Sequence, residues 1–179
     1  KRVGRSDFVN MGPIKLRQPI PTQDIEMIDP FILLHHYGPY NIDEMNNTFD
    51  LGPHPHRGFE PITFLIQGEQ LHRDSLGHES IVRSGDVQWT TAGRGIIHAE
   101  GPTKDFVKKG GTLEGIQLWL NLPAEKKMIQ PNYQHVKHED YMKQKMAEFE
   151  NRANIMCEKA AILNDREERD MVNSPAHYA

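Results

Sequence analysis

The chain has 179 residues, 26% of them charged, and a formal net charge of -4. That length builds one domain with a modest appendage and no second large core, and the scattered lysines and arginines make no extended basic surface for direct nucleic-acid binding. A single cysteine, Cys157, excludes an internal disulfide framework, and no apolar stretch approaches the roughly 20 residues of a membrane helix, so the cytoplasm is the default compartment.

Residues 1–10 read as a flexible leader or the remnant of something longer, with Met11 a plausible alternative start. Over 12–34, β-friendly runs alternate with turn signals and end in Pro30-Phe31-Ile32-Leu33-Leu34, which reads as a buried strand. Residues 37–52, with Gly38, Pro39, Asn41, Asn46, Asn47 and Asp50, read as a long loop. Strand-like pieces follow at 62–66, 70–73, 79–82, 87–90 and 116–120, interrupted by Gly68, Gly77 and Gly85. This is the pattern of an all-β antiparallel barrel or sandwich. The helical crossovers that a parallel sheet needs are missing between these pieces. Residues 139–170 are rich in helix formers and place Met142, Met146 and Phe149 at spacings of three and four. They predict a helical extension with an apolar side turned to the barrel or to a second subunit, which would make a homodimer.

Two short motifs carry the chemistry. His54-Pro55-His56 and His98-Ala99-Glu100 each have the spacing at which an extended strand points both outer side chains to one face. Brought together, three imidazoles and a carboxylate make a four-donor site for a borderline transition metal, with iron the best match and positions left for water, dioxygen or a substrate. The competing reading has His54 and His56 hydrogen-bonding a loop and His98 in the core. Arg57 and Arg94 lie beside the two motifs and could bind an anion or a phenolate, although exposed arginines are usually just solvated. The remaining histidines, His72 among them, lack paired spacing and read as surface, loop or hydrogen-bonding residues. Trp89 and Trp119 read as core aromatics, either of which could line a cavity. Cys157 falls in the presumed helix, away from any histidine and acid, and is not expected to be catalytic.

The stretches PFILLHHYGP from Pro30, HPHRGFEPITFLIQGEQLHRDSLGH from His54, GDVQWTTAGRGIIHAE and GIQLWLNLP resemble the amino-terminal half of pirin-family proteins, members of the cupin superfamily. The resemblance runs from about Gly12 to Tyr133. It implies a cupin barrel over residues 12–135, followed by the extension at 139–170, and iron (Fe2+/Fe3+) held by His54, His56, His98 and Glu100. Glu60 occupies the place where many cupins put a glutamate ligand, but in pirin-like proteins that position is not normally one of the four, and it is expected to play a structural or supporting part, such as orienting a histidine or Arg57, with direct coordination the alternative. The activity implied is that of a quercetin 2,3-dioxygenase acting on a flavonol and dioxygen, with Glu100 as the catalytic base. The alternative implied is a non-catalytic, redox-responsive regulatory or protein-binding pirin. Pirins usually have two barrels, and here the charged, methionine-rich tail stands in place of a second one.

Overall fold

The computed structural model describes residues 6–12, 14–47 and 49–173, except for the side chains of residue 153 and residues 157–173. Cys157 and its expected inertness thus lie outside the described side chains. The chain divides into two compact units, residues 1–138 and 139–179.

In the first unit the strands, in chain order, are β1 (Asp7–Met11), β2 (Ile14–Ile20), β3 (Phe31–Ile42), β4 (Leu51–His56), β5 (Phe59–Gln67), β6 (Glu69–Asp74), β7 (Glu79–Arg83), β8 (Val87–Thr91), β9 (Ile96–Pro102), β10 (Gly111–Asn121) and β11 (Asn132–Val136). A seven-stranded sheet runs β1-β2-β3-β10-β5-β8-β11 and a four-stranded sheet β4-β9-β6-β7, with antiparallel pairing throughout. The core joins Ile14, Leu16, Tyr37, Ile42, Leu65 and Leu113 of the larger sheet to Val82 of the smaller one and to Phe49. Burying these side chains fully stabilises by about 1.5–3 kcal/mol each.

Three expectations are corrected. Residues 7–11, expected within a flexible leader, form a strand: they pair with β2 from Asp7↔Gln18 to Met11↔Ile14. The long loop expected over 37–52 is strand as far as Ile42, because Tyr37 and Ile42 are buried in the core and Gly38 takes up an irregularity opposite β10. Gly38 has φ 85°, and a Cβ there would stand 2.3 Å from the Leu113 carbonyl oxygen, so a residue that reads as a turn signal is a close approach between strands. Finally, Phe31, Ile32, Leu33 and Leu34 are only partly buried; the buried members of that strand are His35, Tyr37 and Ile42.

A short helix, α1 (Lys104–Lys109), went unpredicted. Thr103 caps it by accepting the Phe106 N–H at 3.1 Å, Asp105 sits in its first turn and Gly110 ends it, so a capping signal was present in a segment too short to show periodicity. The second unit contains α2 (His138–Asn173). Tyr141, Met142, Met146, Phe149 and Met156 on it are exposed. No described helix is long and apolar enough to cross a membrane.

Candidate metal centre

β9 lies between β4 and β6, and its register gathers polar side chains on one face. His54 pairs with His98 and His56 with Ile96 on one side; on the other, His72 pairs with Glu100 and Asp74 with His98. Residues directly opposite in an antiparallel pair share a face, and residues two apart on a strand do so as well. One surface of the four-stranded sheet therefore carries His54, His56, His72, Asp74, His98 and Glu100. The turn at Gly93-Arg94-Gly95 delivers β9 to this position. Gly93 has φ 48° and passes so close to Ile129 that a Cβ would stand 2.3 Å from its carbonyl oxygen.

The ring centroids of His54 and His98 are 4.4 Å apart, those of His56 and His98 4.7 Å, and those of His54 and His56 4.9 Å. Ligand atoms of His54, His56 and His98 all lie within 4.8 Å of one another, and the same holds for His72, His98 and Glu100. The four expected ligands are thus divided between two overlapping triads that share His98. His72, which has no paired spacing in the sequence, belongs to the second.

Nδ1 of His54 donates to the Gly52 carbonyl at 2.8 Å, which leaves its Nε2 as a bare lone pair. Nε2 of His56 and Nε2 of His98 are buried and have no hydrogen-bond partner. Orphaned buried acceptors are costly unless something fills the space between them, and imidazole nitrogens so placed suit a divalent transition metal. The structure thus holds a buried histidine cluster, with a glutamate at its side, capable of coordinating a metal ion. Burial, helped by neighbouring His98 and His54, pushes the His56 imidazole down to about 3. Burial with His54 and His72 does the same to His98, also to about 3. Both rings are therefore neutral at pH 7, as ligation requires.

Glu100 is 5% exposed and accepts a hydrogen bond from the Gln88 amide. Burial raises its carboxyl above the usual value, against the opposing pull of His72, Gln88 and His54. Among the described residues only the Gln88 amide N–H donates to it, and at Oε1, leaving Oε2 for a metal or a proton.

Behind this cluster, His72 is fully buried and its ring stacks on Tyr133 at 4.0 Å and 7°. Its Nε2 meets Asp74 Oδ2 at 3.1 Å. Burial pushes Asp74 upward, but hydrogen bonds from the His72 and His78 rings and from the backbone N–H groups of His78 and Leu76 hold it below the usual carboxylate range.

Glu60 accepts a hydrogen bond from Thr91 at 2.6 Å, which ties β5 to β8, and among the described residues no hydrogen bond joins it to a histidine or Arg57. Arg57 is exposed, donates to the Met128 sulfur at 3.3 Å, and lines a 530 Å³ cavity with His54, His56, Phe59 and Trp119. Phe59 and Trp119 stack at 4.4 Å in its wall, and Trp119 touches His56 edge-on at 5.3 Å. The Trp119 indole N–H is buried without a partner. Arg94 is exposed on its turn, and neither it nor Glu100 lines this cavity.

A family model described as Pirin matches residues 13–120. A pirin-like protein of Solanum lycopersicum is 41% identical over 128 residues, covering 72% of this chain and 40% of the relative. The pirin of Rattus norvegicus is 39% identical over 132 residues, covering 72% and 41%. A crystal structure of quercetin 2,3-dioxygenase from Acinetobacter baumannii superposes with a TM-score of 0.65 at 37% identity, over 76% of this chain and 48% of that one. The chain spans less than half the length of the curated relatives it matches.

Proposed function

This chain belongs to the pirin family of the cupin superfamily, and on that premise we propose that it is an iron-binding oxygenase of the quercetin 2,3-dioxygenase type. In this reading residues 12–135 close into a cupin barrel and residues 139–170 form the helical extension. His54, His56, His98 and Glu100 would hold the metal. The compartment is the cytoplasm.

The observation that carries the reading is the contact between the histidine cluster and an aromatic-walled cavity: His54 and His56 line the same 530 Å³ space as the stacked Phe59 and Trp119. That volume lies within the range of roughly 300–1,000 Å³ typical of small-molecule sites. A flat flavonol would lie against the Phe59 and Trp119 rings. Iron, when bound, would supply Lewis acidity toward the flavonol's hydroxyl and carbonyl pair and electron transfer to dioxygen. The chain's own part is to place the ring and to receive its proton. Glu100 is the proposed base: it stands behind the histidines and outside the lining of this cavity, Gln88 occupies Oε1, and Oε2 would have to leave the metal and turn toward the substrate to take the proton, which burial helps it hold. Arg57, in the cavity wall, would face the phenolate.

The likeness to a quercetin 2,3-dioxygenase of known structure supports this substrate class. Oxygen uptake by the iron-loaded protein with flavonols tests it. Sustained, flavonol-dependent uptake that disappears in His56→Ala is the expected result. Absence of turnover across flavonols by a metal-loaded protein would favour the redox-responsive regulatory reading.

A further inference from the structure

Asp74 has two distinct oxygens. Oδ1 accepts the backbone N–H of Leu76 at 2.9 Å and of His78 at 3.1 Å; Oδ2 alone faces Nε2 of His72, at 3.1 Å, and Nδ1 of His78 lies 2.9 Å from Oδ2 and 3.2 Å from Oδ1. An ionised carboxylate only accepts, so Nε2 of His72 must carry the hydrogen. A neutral imidazole has one N–H, which leaves Nδ1 of His72 bare. That bare nitrogen stands 3.5 Å from Nδ1 of His98, at the long end of hydrogen bonding. Two lone pairs facing each other repel, so Nδ1 of His98 carries the hydrogen and donates. Its single N–H is thereby used, and the electron pair falls on Nε2, the nitrogen that is buried without a partner.

We propose that Asp74 and His72 form a positioning pair that sets the tautomer and ring plane of His98, presenting its Nε2 to the metal. The proposal rests on the reading of His98 as a ligand. It makes His72 a positioning residue and no ligand itself, although its nitrogens lie close enough to be mistaken for one. Tyr133, stacked flat on His72, holds the plane of the relay. The arrangement answers a local need. His54, on the outer strand of the sheet, fixes its tautomer with the Gly52 carbonyl alone. His98 sits on β9, flanked by strands on both sides, where carbonyls are committed to the ladders, and takes its acceptor from a side chain instead. Such outer partners of metal-bound histidines orient the ring and raise its basicity.

Asp74→Asn is the direct test. Its one acceptor oxygen would stay with the two backbone N–H groups, which puts the amide NH2 in the place of Oδ2, donating to Nε2 of His72. The relay then reverses, and Nε2 of His98 acquires the hydrogen. Long-range 15N–1H spectra of the metal-free full chain should show His98 as the Nδ1–H tautomer in the unsubstituted protein and as Nε2–H in Asp74→Asn. Affinity for zinc, a redox-silent probe, measured by chelator competition, should fall about 10–100-fold in Asp74→Asn. His72→Phe, which keeps the stacking on Tyr133 and removes both nitrogens, should lower zinc affinity as well, and the His98 tautomer should no longer be fixed. A His98 that is Nε2–H in the unsubstituted protein, or unchanged in both variants, overturns the proposal. If Asp74→Asn does not fold, the unsubstituted spectrum and His72→Phe decide between the same two outcomes. A protein with the expected tautomer that oxidises no flavonol would sink the oxygenase reading and leave this one standing.

Discussion

The 3.5 Å between Nδ1 of His72 and Nδ1 of His98 links a histidine of recognisable motif spacing to one with none. It extends the site across β9 from the two-histidine strand β4 to β6, and it divides the polar residues of that face by task. On the reading proposed above, His54, His56, His98 and Glu100 are the donors and His72 and Asp74 stand behind them. Losses of metal should follow that division.

In an alanine series read by metal content after reconstitution, His56→Ala and His98→Ala should lose metal by more than the 10–100-fold, approximately, that is typical of outer partners. Glu60→Gln should retain it, since among the described residues Glu60 bonds only Thr91. A Glu60 variant as depleted as His56→Ala would show that the ligand set is drawn wrongly.

The metal-free protein should be acid-sensitive over a defined window. Burial lowers His35 to about 4, and burial with neighbouring histidines lowers His56 and His98 to about 3, whereas in the unfolded chain these rings titrate near 6.5. Below that value the unfolded chain binds protons that the native one refuses, so stability rises with pH between the two limits and levels off above 6.5. Each ring contributes up to ~1.4 kcal/mol per pH unit inside the window. Urea midpoints of metal-free protein at pH 7, 6 and 5 should fall in that order; identical midpoints would mean that these rings are not buried neutral.

Gly38→Ala should destabilise by roughly 1–3 kcal/mol from the backbone conformation alone, with the contact to the Leu113 carbonyl added. Thermal melts of the two proteins measure it. Equal melting temperatures would show that β3 does not pass this close to β10.

Both sheets were foreshadowed by short β-rich pieces and glycine turns, and five expected strand segments fall inside β5, β6, β7, β8 and β10. What the sequence hid has a physical cause. In Leu71-His72-Arg73-Asp74 the apolar member suggests an inward Leu71, yet His72 is wholly buried and Leu71 and Arg73 belong to the opposite face. Ile81 and Ile97 are likewise exposed while Gln70 and Glu100 are buried. The inner face of this sheet holds a polar site, so period-two alternation reveals a strand without revealing which side is inside. The placement of His54 with His56 and of His98 with Glu100 on one face was legible because their spacing is local. His72 was not, because its membership depends on the register between β6 and β9, which no spacing encodes.

α2 offers a separate test. Met142, Met146 and Phe149 are exposed at spacings of three and four, and we expect them to pair with a second copy of the chain. Ending the chain after Tyr141 should then lower the mass seen by light scattering and leave the metal content unchanged. The same mass in both forms would show that the helix is merely appended.

Two of the three clustered histidines ride on β4, the edge of the four-stranded sheet, which is bonded to β9 alone and interrupted in register between Leu51 and His54. Pro53 and Pro55 bring no N–H to that edge, which discourages a further strand from adding there. The strand is consequently the least tethered wall of the site, and a few ladder bonds separate a closed cluster from an open one. Residence time for a bound ion would therefore be set by the fraying of β4 as much as by the strength of the donor bonds, and the ion in turn would staple that edge to the interior.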